Sequence, residues 1–158
     1  MQIDIQVRDW RFYLHKWKLK KFCREVIENA WAGDNRAEVS VVLADDDFVH
    51  ALNKQYRKMD KPTNVLSFEN DEEYEDEEGK WKCVGDIAIS LDTLPVNSEY
   101  FEGDNNTELK RLLVHGLLHL NGMDHGEEHI EKGVAPVCEM LALQEKLLES
   151  LKDEKIIL

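Results

Sequence analysis

The sequence predicts a mixed α/β (α+β) fold: one domain over residues 1–158, with a sheet of about four strands packed with helices. Three observations carry this. Segments of period two and segments of helical period interleave through the first half of the chain, as β-α-β units do. Helical segments dominate the second half. The chain has 158 residues and is 42% hydrophobic, enough for one substantial core, and it contains no internal repeat and no linker-like stretch.

Residues Gln2–Val7 place apolar Ile3, Ile5 and Val7 between polar neighbours, the alternation of a half-buried strand. From about Leu14 to Trp31 the residues Leu19, Phe22, Cys23, Val26, Ile27 and Ala30 recur at helical spacing, and Gly33 marks the stop. Ala37–Leu43 is rich in β-branched residues and reads as a central strand. Asp45–Asp47 supply caps for a helix from about Asp46 to Tyr56. Pro62 and Asn64 mark a loop before a short strand, Val65–Phe68. Trp81–Ser90 is a further strand, with Gly85 as a bulge or close-approach point. These two strands flank the acidic run Glu69–Glu78, which is expected to be the extended, self-repelling tip of a hairpin. Over Leu91–Phe101, Pro95 suits either a short helix or a loop. Asn105–Thr107 are expected to cap a helix whose Leu109, Leu112, Leu113, Leu117 and Leu120 face inward. Pro136 is expected at the start of a last helix running to Leu151, with Met140, Leu141, Leu147 and Leu148 on its buried side.

The net charge of −13 is unevenly spread. Glu69–Glu78 holds eight acids and no base, which leaves −5 to the remainder, whereas Arg8–Arg24 carries a local +6. The basic segment reads first as a solvated face and second as a surface that tracks phosphates. Within it Trp10, Phe12 and Tyr13 alternate with Arg8 and Arg11, an arrangement in which bases can stack beside phosphate contacts. The four tryptophans, Trp10, Trp17, Trp31 and Trp81, are expected in or near the core. Cys23, Cys83 and Cys138 are odd in number and far apart, so they read as reduced, packed thiols of a cytoplasmic protein. No secretory leader and no membrane span of roughly 18 apolar residues is expected.

The stretch with the most chemistry is HGLLHLNGMDH, from His115 to His125. His115 and His119 are four apart in a helix-forming run, so both imidazoles share one helix face and can grip one ion. Gly122 suits the residue past a helix end, where the chain reverses and delivers His125 as a third ligand. Three neutral ligands leave a fourth position of a zinc ion open, the catalytic arrangement, although Glu127, Glu128 and His129 stand near enough to serve as extra ligands of a closed structural site. The same histidine spacing occurs in metzincin proteases, but there glutamate follows the first histidine as general base, and here that position is Gly116. Protease chemistry is thereby disfavoured.

Together with YRKMDKPTNVLSF (Tyr56–Phe68) and VGDIAIS (Val84–Ser90), this stretch resembles the YbeY-type endoribonucleases, bacterial rRNA maturation factors, over nearly the whole chain. The resemblance implies a zinc-dependent domain that cleaves single-stranded RNA, matures the 3′ end of 16S rRNA and takes part in ribosome quality control, with the ribosome or its proteins as partners. It places the zinc ligands on His115, His119 and His125 and a functionally important arginine on Arg57. Met123 stands where an aromatic residue is common in that family, and the tip Glu69–Gly79 is unusually acidic. The rival expectation is an RNA-binding ribosome-assembly factor whose metal is structural.

The residue chemistry agrees. Zinc held only by imidazoles keeps its full charge to polarise a phosphoryl oxygen and acidify water, and imidazole suits nickel, copper and iron as well. A planar, always-charged guanidinium suits a phosphate, which makes Arg57 the clamp. Asp124 and Asp86 are candidate bases, or else carboxylates that orient a histidine ring. His15 and His50 read as surface or packing residues, whereas His129 stands close enough to be an alternative ligand, although its place four residues past His125 suggests the next turn of chain. Water and the substrate's 2′-hydroxyl are both open as the attacking group.

Overall fold

The computed structural model describes residues 3–9, 16–30, 36–58, 65–77, 79–92, 94–100, 104–121, 123, 133 and 135–156. The elements run β1 (Ile3–Asp9), α1 (Lys16–Ala30), β2 (Arg36–Ala44), α2 (Asp46–Arg57), β3 (Val65–Asp76), β4 (Gly79–Ser90), α3 (Leu94–Tyr100), α4 (Asn105–Leu120) and α5 (Glu139–Ser150). The four strands form one sheet in the order β1-β2-β4-β3. β1, β2 and β4 are mutually parallel and β3 is antiparallel on β4. This is the mixed sheet expected from the sequence.

Side-chain parity sorts the helices onto two faces, because successive strand residues point to opposite sides. Val39, Val41, Leu43, Ile87 and Ile89 join one buried cluster with Leu19, Phe22, Val26 and Ile27 of α1, Leu109, Leu113 and Leu117 of α4, and Met140 and Leu147 of α5. Leu66 and Ala88 point the other way and pack with Val49, Phe48 and Leu52 of α2. The large core lies on the α1/α4/α5 face, and α2 covers the opposite one.

Two glycines set how closely the layers approach. Gly85 has φ +154° in the middle of β4, where pairing with both neighbours shifts register by a bulge. A Cβ there would fall on the Phe68 carbonyl and 2.7 Å from Leu120 Cδ2 at the end of α4. Gly116 lies on the sheet side of α4, and a Cβ there would stand 3.1 Å from two carbons of Ile87.

Several local expectations need correction. The acidic run is strand rather than tip: β3 continues to Asp76 and turns immediately afterwards. In its register Glu73 lies opposite Lys82 and Glu75 opposite Lys80. The cap of α4 is Asp104, one residue earlier than expected, whose carboxylate accepts from Thr107 N at 2.7 Å. α5 begins at Glu139 with Cys138 at its cap, so Pro136 precedes the helix instead of opening it. Trp17 is 65% exposed and not in the core. It shares the outer stripe of α1 with Lys21, which pairs with Glu25 and Glu154, so this part of the basic segment is a solvated face. Gly33, the Pro62–Asn64 loop, Trp10, Trp31, Gly122, Asp124, His15 and His129 lie outside the described residues, as do the side chains of Trp81 and Cys83. Cys23 is fully buried, and burial pushes its thiol up to about 12, which keeps it inert as the packed-thiol expectation required.

Candidate metal centre

Helix α4 begins at a capped N-terminus, buries Leu109, Leu112, Leu113 and Leu117, and leaves one stripe half-exposed. His115 and His119 occupy that stripe. Their ring centroids are 4.6 Å apart and their Nε2 atoms face one another at 3.1 Å. Each Nδ1 is already committed. His115 Nδ1 lies 2.9 Å from Gln144 Oε1 of α5, and His119 Nδ1 lies 3.1 Å from the Met123 carbonyl oxygen. The amide of Gln144 is oriented by its other end, where Nε2 donates to Glu145 Oε2 at 3.4 Å.

These contacts assign the tautomers. A carbonyl oxygen accepts only, so each Nδ1 carries a proton, and in the neutral rings each Nε2 turns a lone pair inward. Two lone pairs directed at one small volume repel each other, and a cation between them removes the conflict. Nitrogens bound at about 2.0–2.1 Å to a tetrahedral zinc ion stand about 3.3 Å apart, close to the spacing found here. The donor set therefore fits a zinc-like ion at the paired Nε2 atoms.

The turn that ends α4 contributes directly. Asn121 N donates to the Leu117 carbonyl at 3.1 Å, and Met123 N donates to the Leu118 carbonyl at 3.1 Å. The second bond closes a six-residue turn at the helix end. The Met123 carbonyl thus held is the one that accepts from His119. Met123 is half-buried and packs against the main core.

His125 lies outside the described residues, and among the described residues no group of three His, Cys, Asp or Glu side chains forms a metal cluster. Arg57 is the last residue of α2, followed by Lys58 in the left-handed conformation (φ 59°); the Arg57 side chain lies outside what is described. Its neighbour Tyr56 is 61% exposed and meets Phe68 edge-on at 5.5 Å. Asp86 is not near the histidines. It follows Gly85 and precedes Ile87, both of which face α4, so it points to the α2 face. There it lines a pocket of about 360 Å³ with Val42, Phe48, Leu52, Tyr56 and Phe68. The groups that orient the two imidazoles are Gln144 and a backbone carbonyl, not Asp86. Gln144 escaped the sequence reading. The signal for it was a polar residue at a core position of α5, between Met140 and Leu141 on one side and Leu147 and Leu148 on the other.

The molecule is thus a four-stranded mixed-sheet α/β domain whose long helix presents a pre-oriented imidazole pair beside a clamped turn. The sequence pattern of the family described as Endoribonuclease YbeY matches residues 4–152, and the chain belongs to that family. It is 52% identical over 120 residues to the Endoribonuclease YbeY of Treponema denticola, covering 75% of this chain and 74% of that protein. It is 43% identical over 125 residues to that of Aquifex aeolicus, covering 73% and 80%. A solution structure of a protein from Thermotoga maritima superposes with a TM-score of 0.57 at 27% identity, over 95% of this chain and 89% of the other. Among the described residues no helix is long and apolar enough to cross a membrane.

Proposed function

We propose that this chain is a metal-dependent endoribonuclease that cuts single-stranded RNA, acting in the cytoplasm in 16S rRNA 3′-end maturation and ribosome quality control. His115, His119 and His125 would hold one zinc ion. The observation that carries this reading is the 3.1 Å approach of two Nε2 atoms whose Nδ1 partners already fix them as lone-pair donors. Both rings are half-exposed rather than sealed, which favours an open site over a closed structural one.

When bound, such an ion supplies Lewis acidity toward a phosphoryl oxygen and toward water. The chain's own residues do the rest. Gln144 and the Met123 carbonyl hold the imidazoles so that neither ring turns as charge develops. Arg57 binds the phosphate, where a guanidinium offers paired donors and a permanent charge.

The test is cleavage of an end-labelled single-stranded RNA by wild type, His119→Ala and Arg57→Ala, each with and without EDTA and zinc, with folds checked by circular dichroism. Zinc-restored cutting by wild type, and losses of about 10²–10³ in both variants, are expected. Wild-type rates in both variants, or cutting indifferent to chelation, would end this reading. A 5′-phosphate on the product identifies water as the attacking group; a cyclic phosphate identifies the 2′-hydroxyl.

A further inference from the structure

Behind His115 a line of polar contacts runs into the α4–α5 interface. Gln144, only 1% exposed, receives His115 Nδ1–H on Oε1 at 2.9 Å and donates through Nε2 to Glu145 Oε2 at 3.4 Å. The other Glu145 oxygen faces Arg111 Nη2 at 3.5 Å, and Arg111 Nη1 donates to Glu108 Oε2 at 2.7 Å. Glu108 is itself buried. A buried glutamine amide is ambiguous in one respect: turned over, it presents an N–H to the imidazole instead of an oxygen. His115 would then need its proton on Nε2, the nitrogen that has to be bare for metal. The carboxylate of Glu145 removes the ambiguity because it accepts only. Arg111, held by Glu108, keeps that carboxylate in place.

We propose that Gln144 is a positioning residue that fixes the metal-ready tautomer of His115, and that Glu145, braced by Arg111 and Glu108, locks the Gln144 amide in the required orientation. This rests on the metal-centre reading above. It extends that reading to four residues of the α4–α5 interface. Outer-shell partners of a ligating histidine typically contribute about 10–100-fold to metal affinity.

Two measurements separate this from a packing role. The first is the 15N chemical shifts of the His115 ring in metal-free protein, which report the tautomer without any metal. The second is zinc affinity by competition with a fluorescent chelator. Gln144→Met keeps the volume and removes the acceptor. It is expected to populate the Nε2–H form and to weaken zinc binding about 10–100-fold. Gln144→Glu restores an acceptor and is expected to recover the Nδ1–H form, the rescue that a packing role does not predict. Glu145→Ala lies at a partly exposed position and leaves the core intact, so it carries the test even where Gln144→Met folds poorly; a mixture of tautomers and a smaller affinity loss are expected. Wild-type ring shifts and wild-type zinc affinity in Gln144→Met, or in Glu145→Ala where Gln144→Met is unfolded, overturn the proposal while leaving the endonuclease reading intact. A wild-type protein that binds no zinc yet shows the expected tautomer shifts in the variants overturns the metal reading and leaves the positioning role of Gln144 standing.

Discussion

Replacing Gly85 by alanine is the sharpest test of how the sheet and the histidine-bearing helix fit together. At φ +154° an L-residue is strained, at a cost of about 1–3 kcal/mol. The new methyl would also overlap the Phe68 carbonyl and approach Leu120 Cδ2 to 2.7 Å. Leucine can rotate away, but a strand carbonyl paired across the sheet cannot, and forced overpacking costs typically about 1–3 kcal/mol more. Alanine recovers roughly 0.4–1 kcal/mol by restricting the unfolded chain. The net loss is therefore about 3–4 kcal/mol, a large share of the roughly 5–15 kcal/mol that stabilises a domain. With a urea slope of about 2 kcal/mol/M, the unfolding midpoint falls by about 1.5–2 M. Gly133→Ala is the control. Its φ is +76° and nothing lies within 4 Å of the added carbon. It is expected to lose only the backbone cost of about 1–2 kcal/mol. Urea unfolding of both variants by far-ultraviolet circular dichroism isolates the packing contribution as their difference. Equal losses to within about 0.5 kcal/mol, the usual scatter of such comparisons, would falsify the claim that Gly85 sets the approach of α4 to the sheet.

Other perturbations have definite outcomes. Gly116→Glu would press a carboxylate against Ile87 in the core, so it is expected to destabilise by several kcal/mol and to confer no peptidase activity; thermal melts and a peptide-library digest check both. Asp104→Ala removes the α4 cap and is expected to cost about 1 kcal/mol at neutral pH. Hydrogen bonds from Thr107 hold the Asp104 carboxyl below its ordinary value of 3.8, so its contribution is complete above that value and fades as pH falls through the lowered one; the wild-type and Asp104→Ala stabilities therefore converge in acid urea titrations. Lys110→Met leaves the carbonyls of Leu151, Lys152 and Glu154 without the ammonium that now donates to them at 2.9, 3.2 and 2.9 Å, and a loss of about 2 kcal/mol with faster amide exchange in the last turn of α5 is expected. Exchange unchanged there would mean that water replaces the ammonium at no cost.

Elements with a strong period were legible. The apolar spacing of α1 and α4, the aspartates at the start of α2 and the β-branched run of β2 place those elements within a few residues of where they lie. The misses have identifiable causes. Composition alone made the acidic run look like a loop, because strand pairing with Lys80 and Lys82 is invisible until the partner strand is known. Trp17 looked apolar enough for the core, yet its stripe of α1 is shared with Lys21 and Arg24, and the stripe decides burial. The histidine pair was legible because helical geometry links residues four apart with no tertiary information. Its orienting groups were not, since Gln144 is contributed by a helix 29 positions along the chain. Asp86, recommended by its place in a strand expected to border the cleft, is removed from the histidine pair by nothing more than strand parity.

The same parity settles what the metzincin-like spacing means. On α4, His115 and His119 share one stripe while Gly116 and Leu120 share the next, which meets Ile87 and Gly85 of β4. The residue after the first histidine is thus committed to helix–sheet contact, where only a hydrogen fits without displacing Ile87. A carboxylate at that position could not reach an ion on the neighbouring stripe without giving up the packing that holds the helix. The shared spacing sets two histidines one helical turn apart, while the position of the protease carboxylate is taken up here by helix–sheet packing. Any proton acceptor for phosphodiester cleavage must come from outside this stripe, from another part of the chain or from the RNA itself. Whether water or the 2′-hydroxyl attacks in the proposed reaction, its proton needs an acceptor, and Gly116 is not one.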